Sequence, residues 1–327
     1  MRWSLAGLAL VSLAVLPGLG QQFVQHEAKE ASQPAARYAH QMMTYDEGNR
    51  RVLLFGGAGQ NGSYGDLWAW NGARWTLLAE TGPTARNSGV MVYDARRKRT
   101  VLYGGRDAKG ALLDTWEWDG KRWKFVGQQG PAPGIHTAAA FDRKRGVMLL
   151  FVPLLPTGPS AEPLRAETWA WDGRHWAKLD ASAPSGYLPL GMAYDQTIGT
   201  MMMLVGKFAP PNSAAPLEAN ELWEWTGKTW QSNTVLPPAV KEPFQSNLVF
   251  AGQLGGLLLF DGGANATWRW EGENWTQVSQ QGPSTRNVHV MAYDSARQRV
   301  VLFGGSKERQ RLADTWEWDG RQWTQIK

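Results

Sequence analysis

Residues 286–327 alternate short apolar runs with polar or glycine-rich turns. Residues 287–293 read as a first strand, 294–299 as a charged turn, and 300–303, closed by Gly304-Gly305, as a second strand. After a variable loop, residues 315–318 form a third strand, with Trp316 and Trp318 on one face because side chains alternate along a strand. Asp319-Gly320 makes a tight hairpin suited to positive φ, and residues 323–326 form a fourth strand, with Trp323 opposite Trp318. These strands are designated A to D.

The unit recurs. Asp114-Thr115-Trp116-Glu117-Trp118-Asp119-Gly120 returns letter for letter as residues 314–320. Trp-x-Trp pairs begin at Trp68, Trp116, Trp169, Trp223, Trp268 and Trp316, at intervals of 48, 53, 54, 45 and 48 residues. Each pair is followed five residues later by a third tryptophan: Trp75, Trp123, Trp176, Trp230, Trp275 and Trp323. Four short strands per unit at this period predict propeller blades, with the tryptophans filling the wedge between stacked sheets. Gly-Gly pairs at 56–57, 104–105, 262–263 and 304–305 suit a sharp bend where strand B ends. No helix follows them, which argues against a phosphate cradle.

Arg-x-x-His-x-Met-x-Tyr-Asp, Val-Leu-Phe-Gly-Gly and Asp-Thr-Trp-x-Trp-Asp-Gly with a final Trp resemble the kelch repeat family. Blades 1, 2 and 6 match well, blade 3 moderately, blades 4 and 5 loosely. The resemblance spans 37–327 and implies an all-β, six-bladed kelch propeller with four antiparallel strands per blade. Expected blades are 37–80, 81–128, 129–181, 182–236, 237–280 and 281–327. The repeat opens on strand A and closes on strand D, so no borrowed strand is expected. Residues 23–25 are a candidate extra strand at the seam.

Residues 1–20 read as a signal peptide: Arg2, an apolar stretch from Leu5 to Leu16, and small residues at Gly18 and Gly20. The apolar stretch is short for a membrane span. The expected location is secreted or periplasmic in a bacterium, with residues 21–36 a linker and no transmembrane span in the mature chain. There is no cysteine, which excludes disulfides and a lipid-anchored lipoprotein. The net charge is +5. The basic runs 96–99 and 143–145 fall in A–B turns and read as solvated turns, so no nucleic-acid partner is expected.

Strand direction places the D–A and B–C loops on one face of the ring. Near the start of strand A stand Arg37, Tyr38, His40, Arg86, Asn87, His136, Tyr187, Arg286, Asn287 and His289, the candidate channel-mouth ligand site. Guanidiniums there suit carboxylates or acidic sugars. The alternative is that Arg-x-x-His belongs to the repeat and ties blades together through backbone carbonyls. Gly134, Tyr187 and Phe244 stand near the arginine position in blades 3 to 5, and Arg37 lies one residue further from its Tyr-Asp than Arg286 does. His40, His136 and His289 lack ligand-like carboxylates nearby, and His136 is out of register, so neither a metal nor another cofactor is expected. The long B–C loops, 153–167 with Glu162 and Glu167, and 207–221 with Phe208 and Glu218, are candidate recognition loops.

Three functions fit. The first is a binding module for an unknown protein, peptide or glycan at the D–A/B–C face. The second is a carbohydrate-active enzyme such as a sugar-acid mutarotase or epimerase; sialic-acid mutarotases resemble this chain in fold, but no motif specific to them appears. The third is a structural envelope component. Galactose oxidases are similar in their kelch repeats, but their chemistry needs a Cys cross-linked to Tyr, which this chain lacks. No catalytic residue is assignable, and a non-enzyme is favoured.

Overall fold

A computed structural model describes residues 32–132, 136–154, 164–181, 183–207, 221–235 and 246–327. The expected signal peptide, the candidate strand at 23–25, Gly134, Phe244, and the loop residues Glu162, Phe208 and Glu218 lie outside the described residues. The propeller is one compact unit, 32–327.

Six four-stranded antiparallel sheets follow one another along the chain. Their A strands are Met43–Asp46, Val90–Asp94, Ala138–Asp142, Tyr187–Asp195, Ser246–Ala251 and Val290–Asp294. Each A strand packs on those of the blades before and after it, and that of blade 6 packs on that of blade 1. Strand A is therefore innermost and the ring is a closed six-bladed propeller. The only helix among the described residues is a 3-10 turn, Gly252–Leu254.

Strand A of blade 6 begins at Val290 rather than Asn287. Val288 adopts a left-handed φ of 54°, which a β-branched side chain resists, and the strand starts only after it. Asn287 instead pairs with Ser306 in an isolated bridge. Three of the four Gly-Gly pairs bend with positive φ. Gly262-Gly263 does not, because blade 5 replaces its B–C loop by a turn between Asp261 and Ala266.

The tryptophans stitch each blade to the one before it. The Nε1 of the third Trp donates across the junction to the Thr just before the Trp pair of strand C: Trp75 to Thr315 (2.9 Å), Trp176 to Thr115 (3.0 Å), Trp230 to Thr168 (2.9 Å) and Trp323 to Thr267 (2.8 Å). The same ring packs edge-on or tilted against the strand-B aromatic paired with that Thr: Phe303, Tyr103, Phe151 and Phe260, respectively. Leu67 and Leu222 replace the Thr in blades 1 and 4, and the facing Trp123 and Trp275 bury their N–H without a partner. In the basic A–B turns Arg96, Lys98 and residues 143–145 are exposed, as solvated turns would be, but single arginines turn inward. Arg97 bonds Asp94 and Glu117, where the sequence suggested solvated charge, and Arg297 bonds Asp294 and Glu317 in the same way.

Candidate functional site

On the D–A/B–C face the three arginines are consumed by one repeated clamp. Arg37, Arg86 and Arg286 are fully buried. Each makes a two-pronged ion pair with the aspartate before strand C of its own blade: Arg37 with Asp66 (2.6 and 2.9 Å), Arg86 with Asp114 (2.6 and 2.8 Å), Arg286 with Asp314 (2.8 and 2.7 Å). Nη1 also donates to the carbonyl of the first bend glycine, Gly56, Gly104 or Gly304. Nε donates to a carbonyl two residues earlier. The second carboxylate oxygen accepts from the first Trp of the pair, Trp68, Trp116 or Trp316, at 2.7 Å. Burial alone would raise the Asp114 and Asp314 pKa values, but the arginine bonds outweigh it and hold both below the ordinary value. The guanidiniums do bond backbone carbonyls, as the structural alternative supposed, but each clamp stays within its own blade, and it is the main-chain N–H of each arginine that reaches the preceding blade, at Leu312, Tyr64 or Gly262.

Blade 4 uses other atoms for the same job. Tyr187 donates to Glu221 at 2.7 Å, and Glu221 accepts from Trp223. Burial, then the nearby Glu221 carboxylate, pushes the Tyr187 phenol up to about 12. In blade 1 the extra residue is absorbed at Ala39. Arg37 keeps the register of Arg86, since Gly305 N–H donates to the Arg37 carbonyl as Gly57 N–H does to that of Arg86.

The remaining candidates scatter. Tyr38 sits under the Arg311 guanidinium (4.4 Å) and edge-on to His40 (5.3 Å). Asn87 bonds Ser63, and Asn287 is exposed. His289 is buried against Phe260, and both ring nitrogens lack partners. Burial, then the Arg286 charge, lowers its pKa to about 3. His136 is half-buried and near enough to depress His40, whose pKa falls to about 4 through burial first and His136 second. No group of three potential metal ligands forms among the described residues.

The ring encloses a central cavity of about 630 Å³ bordered by strand A of all six blades. Of the ten candidate residues only His40 borders it. A left-handed φ of 50° at His40 brings His40 and Gln41 to its D–A end, where the Gln41 carboxamide accepts from the Ala139 N–H of blade 3. Liners at that end are half-buried, as His40 and Gln41 are, or buried, as Gly191 and Asn247 are. At the opposite end the liners Arg143, Gln196, Thr197, Gly252, Gln253 and Ser295 are exposed, so the cavity opens among the A–B turns.

One aromatic per blade stands just inside that opening: Tyr45, Tyr93, Phe141, Tyr194, Phe250 and Tyr293. The Tyr93 hydroxyl accepts from Gly48 N–H (2.9 Å) and the Tyr293 hydroxyl donates to Gln253, each on the preceding blade. Burial raises the pKa of both phenols. The sequence signal for this ring was the Tyr-Asp of the repeat. The residue after that aspartate varies, Glu47, Ala95, Arg143 and Gln196 in blades 1 to 4, and that variation marked the opening.

These features define a six-bladed β-propeller with a polar-rimmed axial cavity. A solved structure described as "Structure of YjhT" is similar, with a TM-score of 0.62 at 11% identity, covering 90% of this chain and 99% of that one. At that identity the likeness is one of fold. No protein-family model and no curated protein matches the chain.

Proposed function

We propose that this chain is a kelch-type propeller acting as a binding module, and that its ligand occupies the central cavity, approaching from the A–B turns. The carrying observation is the cavity: about 630 Å³, with exposed polar residues at one end and aromatic side chains from all six blades below them. That size is in the range of small-ligand sites. The arginines expected to receive a ligand on the D–A/B–C face already hold carboxylates of the fold, which removes the chief reason for placing the site there.

Gln196 is exposed at the rim and makes a suitable block. Gln196→Trp is expected to abolish ligand binding, measured by titration calorimetry, while Tm is unchanged. Binding that survives Gln196→Trp would move the site elsewhere. A catalytic reading on a small sugar draws on His40, a neutral imidazole at the cavity floor and thus a proton acceptor at neutral pH. Accelerated anomer exchange, lost in His40→Gln, would favour it. Export belongs to the same proposal. The processed protein recovered outside the cytoplasm is expected to begin at Gln21, read by mass spectrometry of its N-terminus.

A further inference from the structure

The charges around the cavity cancel. Among its described lining residues only Glu47 and Arg143 carry full charges at neutral pH, and they are bonded to each other. They occupy the same turn position in blades 1 and 3, the residue after the repeated aspartate, so their bond spans blade 2, where Ala95 stands. In blades 4, 5 and 6 that position is Gln196, Gly252 and Ser295. Charge is thus confined and neutralised over one half of the rim, and the other half presents amide and hydroxyl groups.

The other polar liners continue the pattern: Thr197 and Gln253 at the rim, Thr44 and Asn247 deeper. Hydroxyls and carboxamides both donate and accept, which suits a ligand whose own hydroxyls do the same. The aromatic walls offer apolar faces to its C–H surface. An ionised ligand would meet no unpaired counter-charge here, and would either break the Glu47–Arg143 pair or be desolvated without compensation, which is costly.

We infer that the cavity selects an uncharged, hydroxyl-rich ligand, a neutral saccharide unit, and that the Glu47–Arg143 pair disfavours its ionised counterparts. This rests on the proposal that the cavity is the binding site. It reverses the acidic-sugar preference drawn from the arginine positions in the sequence.

The test is calorimetric titration of the whole protein with glucose, galactose, N-acetylglucosamine and cellobiose, beside glucuronic acid, galacturonic acid and glucosamine. At least one neutral sugar is expected to bind about tenfold or more tightly than its ionised counterpart. Glu47→Gln leaves Arg143 unpaired and is expected to narrow that ratio for the uronic acids. A uronic acid that binds the unaltered protein as tightly as its neutral counterpart, or a panel in which no neutral sugar binds, overturns the inference. Gln196→Trp separates the two levels. Loss of an acidic ligand in that variant would overturn the charge selectivity and keep the cavity as the site, whereas retention of any bound ligand would remove both.

Discussion

A guanidinium sealed from water is tolerable only while its charge and donors are matched. The Arg86–Asp114 clamp does this with two parallel bonds, a glycine carbonyl and a Thr84 carbonyl, and Trp116 donates a further bond to the carboxylate. Removing one partner strands a buried charge. Arg86→Ala is therefore expected to cost about 3–5 kcal/mol, read from urea unfolding. A loss under 1 kcal/mol, roughly the worth of an exposed pair, would mean the clamp is not structural. Acid should reveal a second residue-scale effect. His289 has a folded pKa near 3 against an ordinary 6.5, so between those values the unfolded chain binds a proton that the native one refuses. Stability must then fall as pH drops from 6.5 toward 3. His40, lowered to about 4, acts in the same direction. The clamp aspartates, held below their ordinary 3.8, add their own loss as pH falls from that value through the folded one. His289→Leu is expected to flatten the Tm profile between pH 6.5 and 4; an unchanged slope would show that the imidazole titrates normally.

Between elements, the repeated bond is that from the third Trp of one blade to the strand-C Thr of the blade before. Thr115→Val keeps the shape but leaves the Trp176 N–H buried and unpaired, at an expected cost of about 1–3 kcal/mol. A double-mutant cycle with Trp176→Phe should recover a coupling energy, whereas Leu67→Val with Trp123→Phe should show no hydrogen-bond coupling, because Leu67 offers no acceptor. Equal couplings would refute the stitch. This level of order was legible in the sequence as spacing: the Trp triplets and Thr-Trp pairs fix four strands per blade because period-2 alternation dictates which rings share a face. The partners across blades were not legible, since they depend on the stagger of two sheets. Asp66 and Arg37, 29 residues apart, are bonded only because the B–C bend returns the chain to the D–A loop. For the same reason the sequence placed the arginines at a channel mouth, when that bend supplies each with its own carboxylate. Glu47 and Arg143, two blades apart, carried no shared motif at all.

At the scale of the whole ring, closure uses the same parts as every other junction. Gly305 and Leu312 of blade 6 bond Arg37 as Gly57 and Tyr64 of blade 1 bond Arg86, and Trp75 reaches Thr315 as Trp176 reaches Thr115. No borrowed strand is needed among the described residues, because each sheet's four strands come from one stretch of chain. The ring is not uniformly stitched, however. At the junction of blades 4 and 5 Leu222 stands in place of the acceptor Thr, Leu204 in place of the strand-B aromatic paired with it, and Ala266 in place of the acid that would receive the Trp268 N–H. What holds this junction is an apolar cluster including Leu190, Leu204, Leu248, Leu259 and Trp270. Apolar packing supplies free energy without the directional bonds that hold the 6–1 junction in register, so partial opening costs least here. Native-state hydrogen exchange should find the amides of Ser246–Ala251 exchanging through a sub-global opening, while those of Met43–Asp46 exchange only with global unfolding. If blade 1 opens first, the 6–1 contacts are weaker than their geometry indicates, and the ring is held chiefly by its apolar wedges.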